Sequence, residues 1–327
     1  MSNLPTLIRW DWFKLARRWM PWILLAVLLL MSQLAVWGNY FRYQNLKGSG
    51  GVITTGAIGS RVEVRCVDLL AGKPGAVPSG TSPTVVQLLK SECQQAAAQT
   101  QQTLNRLADS FSLPGSLPSA LNVSLGIGLI LFAVLTASVF GAEYGWGTVR
   151  PTLVRGTGRW PYLAAKLLLL VLLVAAALVV VVAATAVSSL FARGLAGAPP
   201  ITNPTTWGVA ARDLGKMWVG IIPYVVFAMF ITILSRSSAT GMAIGIGYYL
   251  AEQIIVAILS GLFSWFGTIS KYLLGQNITA WSGVTLFGQG QISVSEVHAL
   301  LVLIAYTLVL GGATFYIFQV RDVSGAA

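Results

Sequence analysis

Between two apolar runs the chain reads GAEYGWGTVRPTLVRGTGRWPYLAAK, residues 141–166, where one carboxylate and four cations are set among five glycines. Glu143, Arg150, Arg155, Arg159 and Lys166 have the wrong composition for a catalytic centre and the right one for ion pairing with another polypeptide. Glu143 closes the preceding apolar run. Gly147 and Thr148 can turn the chain and open a short helix, with Thr148 as its cap. Leu153 falls within that helix, Gly156 and Gly158 stop it, and Trp160 and Tyr162 are placed to anchor the next run among lipid headgroups. The product is a brief polar helix between two rods, offered to a partner whose carboxylates Arg150, Arg155 and Arg159 could meet. The plainer alternative is a basic loop that only fixes orientation.

Other chemistry is sparse. Glu252 and Gln253 stand in the middle of an apolar run, where a charge costs several kcal/mol and must face a bundle interior, a water path or a partner. Two roles stay open for them, a place on a transport pathway and a hydrogen bond that fixes helix packing. Ser238, Gly241, Gly245 and Gly247 make a small-residue stripe beside them, suited to close helix contact. Cys66 and Cys93 are the chain's two cysteines and share one loop, which fits a disulfide in an oxidising compartment; two small buried thiols would fit as well. The single histidine, His298, has no neighbours with which to hold a metal, and a structural place at a span mouth suits it better. The chain offers no G-x-x-x-x-G-K-[ST] loop and no cluster of intramembrane acids, histidines or cysteines, so no catalytic residue and no metal site is expected and the chain is read as a non-enzyme.

The elements that must position these residues are membrane spans. Of 327 residues, 55% are hydrophobic and 9% charged, where a soluble domain carries about 25% charged. The surface therefore faces lipid. A crossing takes about 20 apolar residues, and six stretches qualify: 21–39, 119–140, 162–190, 217–234, 242–259 and 298–318. The fold class is thus an all-α polytopic membrane protein. The third stretch exceeds one crossing and is expected to tilt or emerge; the fourth and fifth, joined by Ser235–Thr240, form a tight hairpin. The net charge of +11 does not form a nucleic-acid patch, because the cations lie beside apolar spans. With the N-terminus inside, Arg9, Lys14, Arg17, Arg18, Arg150, Arg155, Arg159, Lys166, Arg236 and Arg321 fall on the inner side, while the short outer loops hold Arg193, Arg212, Lys216 and Lys271. That bias predicts a multi-pass protein of the cell (inner) membrane with both termini cytoplasmic.

Residues 1–20 mix Trp10, Trp12, Phe13 and Trp19 with cations, as a helix lying in the headgroup plane would; a disordered basic leader is the alternative. Residues 40–118 form a small external domain, α/β or mainly α. Val62, Val64 and Cys66 alternate as in a strand, and Thr84–Phe111 is patterned as an amphipathic helix. Residues 260–297 are too apolar for a linker and too short in each run for a crossing, which suits re-entrant pieces. A seventh span there would reverse the C-terminus.

Taken together, Glu143, Gly147-Thr148-Val149-Arg150, Leu153, Arg155-Gly156, Arg159 and Lys166 resemble the E-x-x-x-G-T…R-G-x-x-R…K pattern of type-2 ATP-binding-cassette exporter permeases, the ABC-two family. The likeness extends more loosely to the leader, the six spans, the enlarged first external loop and the re-entrant pieces. Pro151 and Pro161 depart from the commoner pattern. The resemblance implies a permease subunit whose 147–158 region is a coupling helix, docked in a groove of a separate ABC ATPase. Two such ATPase subunits, carrying ATP and Mg, would act on two permease chains, identical or related, with the lipid bilayer as the remaining partner and no nucleic acid involved. Two other readings stand beside it: a membrane-anchored interaction or sensor protein using its external domain, and a secondary transporter driven by an ion gradient.

Overall fold

The computed structural model describes residues 4–49, 52–57, 60–73, 82–148, 151, 158–197, 207–283 and 294–321. Helix dominates them. The order is α1 Leu4–Ala16, α2 Trp19–Ser49, strands β1 Val52–Ala57 and β2 Ser60–Arg65, α3 Cys66–Leu70, α4 Pro83–Phe111, α5 Ser116–Gly145, α6 Arg159–Ala196, α7 Trp207–Ser235, α8 Ser238–Leu262, α9 Phe266–Ser270, α10 Leu274–Ser282 and α11 Glu296–Val320. Six of these, α2, α5, α6, α7, α8 and α11, are long and apolar enough to cross a membrane. The protein is an all-α polytopic membrane protein.

The expected spans are all present, and most of the helices run well past them. The physical reason is that a bilayer limits only the apolar part of a helix, not the helix itself. With 38 residues, α6 is about 57 Å long at 1.5 Å per residue, nearly twice the hydrocarbon thickness. The leader differs too: α1 stops at Ala16, a turn at Arg17-Arg18 follows, and Trp19 and Met20 already belong to α2.

The chain divides into two units. The first holds residues 1–32, 120–184 and 208–327. Its core is aliphatic and aromatic, with Leu125, Leu129, Leu163, Leu170, Tyr224 and Met229 all but sealed from the surface. Small residues let α5 approach the α7–α8 hairpin. A Cβ on Gly141 would lie 2.4 Å from the Ser238 Cα, and one on Gly241 would meet Thr232 at the same time as Ala137. The stripe on α8 is therefore packing at Gly241 and Gly245, whereas Gly247 faces open space. The hairpin itself turns through Arg236 and Ser237, the latter capping α8 by accepting from the Thr240 amide. On the outer face of α11, Leu308 and Val309 are each 68% exposed; an apolar face of that kind is stable against lipid and unfavourable against water.

The second unit holds residues 33–119 and 185–207. β1 and β2 pair antiparallel, Val52 opposite Arg65 and Ala57 opposite Ser60. Cys66 opens α3 rather than extending the strand, because the chain turns there into helix. The expected disulfide is present: Cys66 and Cys93 are bonded, with Cα atoms 5.2 Å apart, joining α3 to α4. Of the amphipathic face expected on α4, the C-terminal part is buried, ending on Phe111, while Val85 and Leu88 are exposed. Phe111 packs edge-on against Tyr43 of α2, ring centroids 5.3 Å apart.

Candidate functional site

Chemistry-bearing side chains of the first unit gather where α5 ends and α6 begins. α5 ends as its sequence requires. Gly147 takes φ +63°, its amide donates to the Tyr144 carbonyl at 3.2 Å, and the Thr148 amide reaches back to the Glu143 carbonyl at 3.1 Å. This is the Schellman arrangement, which only a left-handed residue, here glycine, closes at little cost. Gly147 and Thr148 thus close α5 and turn the chain, with both amides donating to carbonyls of its last turn. Of the predicted short helix, Pro151 is helical and exposed; Arg150, Leu153, Arg155 and Gly156 lie outside the described residues.

Glu143 does not face outward. It is 6% exposed, and its Oε1 lies 2.6 Å from Lys166 Nζ, itself 2% exposed. The Tyr162 hydroxyl donates to the other carboxylate oxygen. Tyr162 is buried rather than set among headgroups, its ring stacked on Phe318 of α11. A second acid completes the cluster: Asp11 of α1 lies 3.9 Å from Lys166 and 3.8 Å from Lys14. A buried lysine needs such company, since an uncompensated charge in low dielectric costs several kcal/mol. The cluster joins α1, α5 and α6.

Arg159 is likewise engaged inside the chain. Its Nη1 donates to the carbonyls of Phe318, Gln319 and Arg321, 3.3 Å away at Phe318 and 3.2 Å at Arg321. Those carbonyls form the negative end of α11, where a cation is favoured. Arg321 repeats the device on α7, donating to the Leu234 carbonyl at 2.8 Å. Beside the cluster lies a cleft of about 420 Å³ lined by Phe13, Lys14, Arg17, Arg18, Trp146 and Thr148. Arg17 lies over the Phe13 ring and Arg18 over the Trp146 ring, at 4.1 and 4.5 Å from the centroids.

Glu252 belongs to a different group. Its two oxygens accept from the amides of Gly275 and Gln276, at 2.9 and 2.8 Å. A side chain on α8 thereby caps α10, a helix of nine residues whose first amides, as in any helix, have no partner within it. Gly275 permits the approach, because a Cβ there would lie 2.8 Å from the carboxylate. Gln253 is buried beside it. Lys216 of α7 pairs with Glu296 of α11 at 2.7 Å, the Trp281 indole of α10 donates to the Lys216 carbonyl, and His298 of α11 donates through Nε2 to the carbonyl of Lys271. Among the described residues no group of three metal-ligating side chains exists.

Asp11, Gly275 and Gln276 are the residues that sequence reasoning passed over. Asp11 had a signal, being the one acid among the four cations of the leader. Tyr162, expected as a headgroup anchor, stands one helical turn before Lys166; Gly275 and Gln276 had no signal, because their contact with Glu252 joins distant segments.

Residues 112–324 match a family model described as "Protein of unknown function (DUF2705)". No curated protein matches the chain, and no solved structure does.

Proposed function

The chain belongs to the DUF2705 family, and from the geometry of its charged end we propose that it is the membrane subunit of an ATP-driven exporter, worked by a separate ABC ATPase through residues 147–158. One observation carries this reading. The segment leaves α5 beside the Glu143–Lys166–Asp11 cluster and re-enters α6 at Arg159, which grips the end of α11. A push on 147–158 is therefore delivered at once to α1, α5, α6 and α11, with Arg321 passing it on to α7. A loop that served orientation alone would need none of these ties. Two permease chains would pair with two ATPase subunits, ATP and Mg would be held by the latter, and the segment would face the cytoplasm from the cell membrane.

Purification of the intact chain in mild detergent from its own host tests the proposal. A nucleotide-hydrolysing subunit is expected to co-elute and to be lost when residues 152–157 are replaced by a Gly-Ser stretch. Elution without any ATPase, before and after that replacement, would refute it. An ion-gradient mechanism would lean on Glu252, yet both oxygens of that carboxylate cap α10. Glu252→Gln is accordingly expected to weaken transport rather than abolish it, as read by substrate flux into inverted vesicles.

A further inference from the structure

An apolar trough runs between α1, α2, α5 and α6. Its deeper part encloses about 220 Å³ between Leu28, Leu131, Phe132, Leu173 and Val180. Its shallower part opens beside Pro5, Ile8, Arg9 and Leu169, and Trp12 stands at the junction of the two. Along α6 the lining steps from Leu169 through Ala176 to Val180, about 16 Å at the helical rise. The trough thus has a polar head and a hydrocarbon body. Its head lies at α1, whose exposed Trp10, Trp12 and Phe13 mark a helix seated at a membrane surface. Its body points along a transmembrane helix.

Charge identifies the occupant. Asp11 is taken up by Lys14 and Lys166. Arg9 is exposed and forms no ion pair among the described residues. A cation left uncompensated at the mouth of a wholly apolar slot complements a molecule with one anionic end and one alkyl end. We infer that this trough binds one anionic phospholipid of the surrounding bilayer, its phosphate on Arg9 and an acyl chain laid along α6 past Trp12 to Val180. A zwitterionic lipid would fill the body equally well, but its headgroup cation would compete with the arginine for the phosphate, so an anionic headgroup gains more from Arg9. The inference does not depend on whether an ATPase drives the protein.

The test uses the full chain in nanodiscs doped with phosphatidylglycerol or phosphatidylcholine carrying brominated acyl chains, which quench nearby tryptophan. The Trp12 contribution is taken as the difference from Trp12→Phe. At equal mole fraction phosphatidylglycerol is expected to quench that contribution roughly fivefold more effectively, the equivalent of one basic side chain meeting an anionic surface. Arg9→Gln should bring the ratio to about one. Ala176→Trp, which fills the trough, should remove the quenching by both lipids. Val179→Trp, on the exposed face of α6 and outside the trough, serves as the folded control and should leave the ratio unchanged. Equal quenching by the two lipids in the unaltered protein would overturn the inference. So would quenching that survives Ala176→Trp, or a change of oligomeric state in that variant without a change in lipid response, which would assign the trough to a second copy of the chain.

Discussion

Lys166 is surrounded by two carboxylates and a phenol, and the balance among them sets what each substitution costs. Lys166→Met strands Glu143 as an unpaired buried charge, a change worth about 3–5 kcal/mol. The apparent melting temperature in detergent should fall steeply. Combining it with Glu143→Gln removes both charges and should restore most of the loss, because a neutral pair of similar volume carries little desolvation penalty. A double variant as unstable as the single one would show that packing, not charge, holds this corner. Glu252 is a comparable case with a different partner. Glu252→Ala leaves the amides of Gly275 and Gln276 without acceptors, at about 1–3 kcal/mol for each unsatisfied group. Hydrogen exchange at α10 should then accelerate while the rest of the first unit is unchanged.

Among the elements, the contact of α5 with the α7–α8 hairpin depends on the absence of a methyl group. At Gly141 the obstacle is the backbone of Ser238, which cannot rotate away. Gly141→Ala should therefore cost about 1–3 kcal/mol by overpacking, whereas Gly247→Ala, with open space around it, should be neutral or mildly stabilising. Thermal unfolding of the pair in one detergent distinguishes them. The spans were legible beforehand because lipid demands a run of apolar residues and allows few exceptions. Their ends were not, since beyond the hydrocarbon nothing in composition says where a helix stops: α2 continues through Arg42 and Lys47, and α6 through Arg193. The buried cluster was legible only in part. Glu143 and Lys166 drew notice by charge, and Tyr162 stands one helical turn before Lys166, but nothing near either of them in sequence names Asp11 as a neighbour.

At the scale of the whole molecule, the second unit is held by a covalent tie that the first lacks. Closing the stretch between Cys66 and Cys93, a separation of 27 residues, is worth roughly 3–4 kcal/mol in chain entropy. Replacing both cysteines by serine should expose α3 and α4 to limited proteolysis and leave the transmembrane helices resistant; equal protection of both units would contradict that division. The same bridge has a practical corollary. The chain has two cysteines and both are bonded to each other, so the native protein offers no reactive sulfur to a maleimide. A single thiol engineered at position 153, or at the mouth of the trough, would be the sole address for a fluorophore or spin probe, and motion at either place could be followed without first stripping the protein of its own side chains.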